Sequence, residues 1–272
     1  MPEERAAPHA DPLFATRAPS ILDIWDQMQR LQTDFALPQE LTFYYTSPHW
    51  QVAKRILDLG TGNGYYLSKI AARFPGRAYH GVDSSTELIA IAEKEAARGQ
   101  LSFSHGTLFD VTEPFDFVLM RLLLQHLDDI PAVLDHVATL TTPGHAALII
   151  DADDLVRFFH PELPEFTRFC AAYSNHERKA GRERRVAARV EHAITSGRRW
   201  TLGGTLQLLI PSTIPGNLDL FTRTYALLVD LVEQAGELDY DFASVKRAWR
   251  QWSARPDAYT QVGLYLIRID RV

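Results

Sequence analysis

The clearest chemical signal in this 272-residue chain is a glycine-rich turn bracketed by two aspartates. Asp58-Leu59-Gly60-Thr61-Gly62-Asn63-Gly64 follows the apolar run that begins at Ile56 and precedes a helical pattern from Tyr65. Glycines in such a turn permit positive φ and let the backbone approach a ligand with no Cβ between them. The helix behind the turn presents free N–H groups and the positive end of its dipole to that ligand. Gly81-Val82-Asp83 then ends the next apolar run. A carboxylate at the tip of a second strand is placed to accept hydrogen bonds from both hydroxyls of a ribose. A dinucleotide turn, G-x-G-x-x-G, would need glycine at position 65. That position is Tyr65, and the spacing here is G-x-G-x-G.

These residues need strands to carry them and helices to cover those strands. Ile56–Leu59, Ala78–Val82, Leu101–Ser104, Phe115–Met120 and Ala146–Ile150 read as five buried strands. Between them, Leu67, Ile70, Ala71 and Phe74 share a helical face, as do Ile130, Val133, Leu134, Val137 and Leu140. Ser84 with Glu87 reads as a capping box opening a helix to about Arg98, and Pro143-Gly144 as a helix stop. Strands alternating with helices imply a parallel sheet covered on both faces. Upstream, Ile21, Ile24, Trp25, Met28 and Leu31 predict a helix over Ser20–Phe35, followed by a second short apolar segment at Leu41–Tyr45. Downstream of Asp154 the pattern is mostly helical, with strands expected at Trp200–Ile210 and Gly263–Ile269. The expected organisation is a flexible tail (1–18), an N-terminal helical cap (19–50) and one α/β domain (51–272) with helical insertions at about 155–199 and 217–256.

Asp58, the glycines at 60, 62 and 64, and Asp83 in this β-α-β setting together resemble the first motifs of class I S-adenosyl-L-methionine (SAM)-dependent methyltransferases. Phe115–Met120, Leu124-Gln125-His126-Leu127-Asp128-Asp129 and Thr142-Pro143-Gly144-His145 resemble that family's later motifs, so the likeness spans about Gln51 to Asp154. It implies a Rossmann-like fold with a seven-stranded, mostly parallel sheet, and SAM as cofactor. It further implies that Asp58, Gly60, Thr61, Gly62, Gly64 and Tyr65 surround the methionine part. Asp83 would hold the ribose, Ser84 would lie beside the adenine, and Met120, Arg121 and His126 would form the floor. The family places an aspartate after Gly106; this chain has Thr107, so adenine recognition is expected to shift to Thr107, Leu108 or nearby backbone.

Methyl transfer needs alignment of nucleophile, methyl and sulfur, and for some acceptors a base. His126 is the expected base by type and position. Tyr44, Tyr45, Tyr65 and Tyr66 form a dense aromatic set at the expected mouth, where ring faces would stabilise a sulfonium by ~0.5–2 kcal/mol. Tyr44 and, on the helix after strand five, Tyr173 join His126 as candidate catalytic residues, with Asn175 and His176 beside Tyr173. Asp151, Asp153 and Asp154 end strand five, but the neighbouring strand ends in Met120-Arg121, whose cation would repel a metal; no metal site is expected. The basic run Arg182, Arg184, Arg185 and Arg189 reads as an exposed helix face.

The net charge of −6 argues against nucleic-acid or membrane-surface binding. Cys170 is the sole cysteine, so no disulfide within the chain is possible. No apolar run approaches the ~20 residues that cross a bilayer, and Met1–Arg5 does not begin a secretion signal. A cytoplasmic enzyme with a small-molecule partner is expected; oligomeric state is left open. The favoured function is a small-molecule methyltransferase of secondary metabolism. The alternative is a SAM-consuming cyclase on the same fold, forming azetidine-2-carboxylate and releasing methylthioadenosine. A third reading is a non-enzymatic SAM sensor.

Overall fold

The computed structural model describes residues 19–96, 100–182 and 186–272. The expected tail, the end of the helix near Arg98, and Arg184 and Arg185 lie outside the described residues.

The chain opens with α1 (Ile21–Thr46) and a short α2 (Pro48–Val52). A regular alternation follows: β1 (Arg55–Leu59), α3 (Tyr65–Arg73), β2 (Ala78–Asp83), α4 (Thr86–Glu95), β3 (Leu101–His105), β4 (Phe115–Arg121), α5 (Ile130–Leu140) and β5 (Thr141–Ala152). The remainder holds β6 (Phe158–His160), α6 (Pro164–Lys179), α7 (Val186–Ser196), β7 (Trp200–Pro211), α8 (Asn217–Ala235), α9 (Phe242–Ser253) and β8 (Tyr259–Arg271).

The sheet runs β3-β2-β1-β4-β5-β8-β6, with β7 also paired to β8. The first five strands in this order are parallel to their neighbours, while β8 is antiparallel to β5, β6 and β7. From β1 the chain winds outward to β2 and β3, then returns to place β4 on the other side of β1. This reversal leaves a crevice at the carboxyl ends of β1 and β4, the place where open α/β sheets bind ligands.

Period-two alternation divides the core. Ile56, Phe117, Leu119, Leu148 and Leu266 face one side, beneath α1, α3, α8 and α9. Leu57, Leu59, Val118, Met120, Ile149 and Ile267 face the other, against α5 and α7. This gives the α/β class and two-faced cover expected from sequence.

Three details differ from expectation. The sheet among the described residues has eight strands, because β6 is a three-residue pairing too short to register as alternation. The two expected N-terminal segments are one helix that continues through Pro38. A proline inside a helix removes a backbone hydrogen bond and crowds the preceding turn; here Phe35, Ala36, Glu40 and Tyr44, on both sides of it, are buried against the domain and hold the helix straight through. The cap of α4 is Ser85, whose Oγ accepts from Leu88 N, one residue later than expected.

The C-terminal helices are fastened by an aromatic cluster. Trp249 is fully buried, 4.4 Å from Phe166, 5.3 Å from Trp252 and 5.4 Å from Tyr225 by ring centroid. Its indole N–H donates to Thr222 O. Trp249→Ala should therefore cost about 3–5 kcal/mol in urea unfolding; a loss under about 1 kcal/mol would mean that α8 and α9 are held elsewhere.

Candidate functional site

The turn after β1 is shaped by hydrogen bonds to both aspartates. Thr61 Oγ1 donates to Asp58 Oδ2 at 2.8 Å. Asp83 accepts from Gly62 N at 2.8 Å through Oδ2 and from Ser85 N at 2.9 Å through Oδ1. Gly60 and Gly62 have φ of +71° and +57°, so both positions need glycine's freedom. A Cβ on Gly62 would collide with the Gln29 amide of α1.

That collision reveals how the crevice is roofed. Gln29 Oε1 accepts from Asn63 N at 2.8 Å, and Asn63 Nδ2 donates to Asp26 Oδ1 at 2.7 Å. Arg30 bridges Asp26 and Glu95 of α4. At the far end, Arg121 leaves the tip of β4 and donates Nε to Glu40 Oε1 at 3.1 Å and Nη2 to Gln32 O at 3.3 Å, both on α1. The Glu40 side chain is wholly buried, and the Arg121 guanidinium lies 4.4 Å above the Tyr66 ring.

Beneath α1 lies a cavity of about 770 Å³. Asp58, Gly60, Thr61, Asp83 and Ser84 line one end; Tyr173, Phe221, Tyr225 and Leu264 line the other. Two buried acceptors on its wall, Asp58 Oδ1 and Gln125 Oε1, have no hydrogen-bond partner among the described residues. Burial, opposed by the Thr61 hydrogen bond and Arg121, pushes the Asp58 carboxyl up to about 7. The floor between β4 and β5 includes Leu122, whose φ of +53° is the one positive value at a non-glycine among the described residues. Its carbonyl accepts from Gln125 Nε2 at 3.3 Å, which holds that amide at the cavity.

Of the residues expected from sequence, Asp58, Gly60, Thr61, Asp83, Ser84, Arg121, His126 and Tyr173 meet at this cavity. Others do not. Tyr44 is fully buried away from it, sharing a 2.6 Å hydrogen bond with Tyr66 and packing on Trp50. Burial, with Glu40 close by, pushes both phenols well above their ordinary range, and Tyr44 packs in the core without lining the cavity. Tyr65 points outward, donating to Asp34 at 3.0 Å between the cations of Arg30 and Lys69. Gly62 and Gly64 serve close packing, against Gln29 and against Phe103 and Ala92. Met120 is buried in the core on the opposite face. Thr107 donates its hydroxyl to Asp110, and Leu108 packs on the same core, so neither lines the cavity, whose wall beyond Asp83 is formed by Ser84, Ser85 and Leu88. Of the remaining tyrosines in the expected set, Tyr66 lines the cavity, whereas Tyr45 is exposed beneath Arg73. Arg182 pairs with Glu177, and Arg189 donates to Leu127 O and Asp128 O, so this part of the basic run ties helices to loops instead of forming a free face.

Sequence reasoning missed Trp25, Gln29 and Gln32 of α1 and the α8 wall. Trp25 sat inside the apolar stripe with Ile24 and Met28 and so read as core. In the structure it is at the stripe's edge, 6.2 Å edge-on from His126 at the cavity rim. Glutamines on an exposed-looking face carry no signal until the partner loop is known.

Comparison with known proteins adds to this geometry. The family model described as Methyltransferase domain matches residues 30–201. Trans-aconitate 2-methyltransferase of Deinococcus radiodurans is 29% identical over 134 residues, 44% of this chain and 50% of that protein. The chain thus spans about half the length of this curated relative. Among solved structures, a SAM-dependent methyltransferase from Thiobacillus denitrificans in complex with S-adenosyl-L-homocysteine has a TM-score of 0.54 at 17% identity, covering 93% of this chain and 99% of that one. The cyclase SpnF has a TM-score of 0.56 at 11% identity, covering 93% and 97%. These likenesses give the fold, a Rossmann-like α/β sheet.

Two outcomes follow from the geometry. Gly62→Val would strain a left-handed position and push Gln29 off the turn, costing about 1–2 kcal/mol for the backbone alone; unchanged unfolding free energy would count against the α1 clamp. Asp58 adds a pH signature. Its folded pKa, about 7, lies above its ordinary 3.8, so its contribution to stability is fully present below the lower value and lost as pH rises through the upper one. Between pH 5 and 8 the native chain should lose on the order of 2–4 kcal/mol more than Asp58→Asn in urea unfolding. Parallel profiles would remove the buried acid from this account.

Proposed function

Because the chain belongs to the methyltransferase-domain family, we propose that it is a SAM-dependent methyltransferase acting on a small-molecule acceptor. The observation that carries this reading is the pair of buried acceptors without a hydrogen-bond partner among the described residues, Asp58 Oδ1 and Gln125 Oε1, on the same cavity as Asp83. An amino-acid ammonium suits the first two, since a buried carboxyl is stabilised in its charged form by a nearby cation. A ribose diol suits Asp83, whose two oxygens are already aimed by Gly62 N and Ser85 N. Leu88 and the backbone around Ser84 supply an apolar slot of the kind an adenine ring fills.

When bound, SAM supplies a methyl carbon activated by a positive sulfur. Held by Asp58 and Asp83, it would pass that methyl to the acceptor's lone pair, the carbon–sulfur bonding pair leaving with the sulfur of S-adenosyl-L-homocysteine. The chain's own part is to hold and exclude water. Asp58 and Asp83 fix the two ends of the cofactor, α1 roofs it, and Trp25 presents a ring beside the rim. For an acceptor that must lose a proton, His126 is the proposed base, with Tyr173 across the cavity as an orienting hydroxyl. Glu177, one helical turn beyond Tyr173, stays ionised: burial raises it, but Arg182, with His126 and His176 near, holds it below the usual range.

The name of the Deinococcus relative, a trans-aconitate methyltransferase, supports a small-molecule acceptor. The cyclisation alternative drew on a tyrosine-rich mouth and on the lack of an obvious strong acceptor base; of the four tyrosines expected there, Tyr66 alone lines the cavity.

Mass spectrometry after incubation with SAM tests the proposal. With SAM alone, neither S-adenosyl-L-homocysteine nor methylthioadenosine should accumulate. With a panel of small carboxylic acids, phenols and amines, the former should appear together with a methylated acceptor. Methylthioadenosine from SAM alone would overturn the reading. Asp83→Ala should weaken S-adenosyl-L-homocysteine binding ~10–100-fold by calorimetry, the loss of charge-assisted hydrogen bonds.

A further inference from the structure

A second cavity, of about 840 Å³, lies beside the first. The two share Ala152, Asp154 and Arg157 on their walls. Asp154 and Leu155 lie in a single helical turn after β5, and Arg157 follows it just before β6, so a three-residue link forms the partition. On the near side of the partition are Tyr225 and Leu264; on the far side are Phe159, Cys170, Ser174 and Asn175.

Arg157 is the polar centre of this boundary. Its side chain is 13% exposed, although it faces both cavities. Nη2 donates to Asp154 Oδ1, and the guanidinium lies 5.6 Å from the Tyr225 ring centroid. That is its one hydrogen bond among the described residues, so most of an arginine's five N–H donors remain for a ligand. The planar fork of a guanidinium suits a carboxylate above other small groups. Asp58, Asp83 and Glu87 line the cofactor end of the first cavity, and its fourth acid, Asp154, stands at the boundary already paired with Arg157. A carboxylate is therefore disfavoured at the cofactor end, and at the boundary it meets the remaining donors of the guanidinium. The wall between, from Phe221, Leu228 and Leu264, is apolar.

Resting on the methyltransferase reading, we propose that the two cavities form one acceptor channel, in which Arg157 anchors a carboxylate-bearing acceptor with its apolar body directed along the α8 wall toward the methyl donor. Arg157 is then a specificity residue: it selects and orients the acceptor while taking no part in the bond-making step.

Cys170 is the sole cysteine of the chain and lines the second cavity, so its alkylation by neutral monobromobimane reports on occupancy there. The experiment uses the full chain saturated with S-adenosyl-L-homocysteine, with octanoate, octanol or octylamine as the probe. Octanoate should slow alkylation saturably, with half-protection at a concentration ~10-fold below that for octanol, the effect of one charge-assisted contact. Octylamine should protect no better than octanol. Arg157→Gln should erase the octanoate preference, Arg157→Lys should restore part of it, and Ser174→Trp, which fills the second cavity alone, should abolish protection. Equal protection by all three probes, or an undiminished octanoate preference in Arg157→Gln, would overturn the proposal. Calorimetry with S-adenosyl-L-homocysteine separates the two levels. Failure to bind it sinks the underlying reading, whereas normal binding in Arg157→Gln with altered protection locates the effect in the channel. Normal binding also shows that the variant is folded.

Discussion

The buried pair of Arg121 and Glu40 is the interaction on which the site depends. A parallel sheet ends in a row of polar strand tips, and a ligand crevice there is open to water unless another element covers it. Here the cover is α1, and it is joined to the sheet by a cation at the tip of β4 and a wholly buried carboxylate on the helix. Taking two charges out of water is costly, and a pair of this kind contributes little net stability compared with apolar packing. What it does contribute is registry. Arg121 also reaches Gln32 O and lies over the Tyr66 ring, so it accepts α1 in one axial position. At the other end of the helix, Gln29 and Asp26 engage Asn63 in the glycine turn. The same helix position therefore sets the roof height above Asp58 and the conformation of the turn that presents Asp83.

This explains why the glycines act less directly than their spacing suggests. Gly60 borders the cavity, but Gly62 and Gly64 make room for Gln29 and for Phe103. Their missing side chains allow protein to approach protein, and the ligand gains because Gly62 N, in its left-handed conformation, can fix an Asp83 oxygen. A turn motif read from sequence correctly locates the site while leaving the contact made by each glycine undetermined.

What was legible followed from periodicity and local chemistry. The alternation of apolar residues placed β1, β2, β4 and β5, and with them Asp58, Asp83 and Arg121, because a strand tip follows from where an apolar run ends. Long-range placement was not legible. Tyr44 and Tyr66 look equivalent in the sequence; Tyr44, near the end of α1, is buried against Trp50 and Phe74, whereas Tyr66 on α3 faces the cavity, and no local pattern encodes that difference. The break between the apolar stripe ending at Phe35 and the segment from Leu41 gave two elements, and burial on either side of Pro38 joins them in one helix. Arg157 drew no notice because a single arginine in a charged loop reads as solvated; its meaning arises only where two cavities meet.

The same division separates what relatives can inform from what they cannot. The family match runs over residues 30–201 and includes Asp58, Asp83, Arg121 and Arg157. Phe221, Tyr225, Leu228 and Leu264, which face the acceptor end, all lie beyond it, as do Trp25 and Gln29 before it. The proposed cofactor end is built from the β-α-β half, whose geometry is set by strand ends. The proposed acceptor end is walled by α8 and the edge of β8, which pairs antiparallel with its neighbours. The relative matched over 44% of this chain supports a small acceptor but does not fix its structure. That structure has to be inferred from the walls themselves, and those walls are apolar along α8 with a guanidinium at the far end.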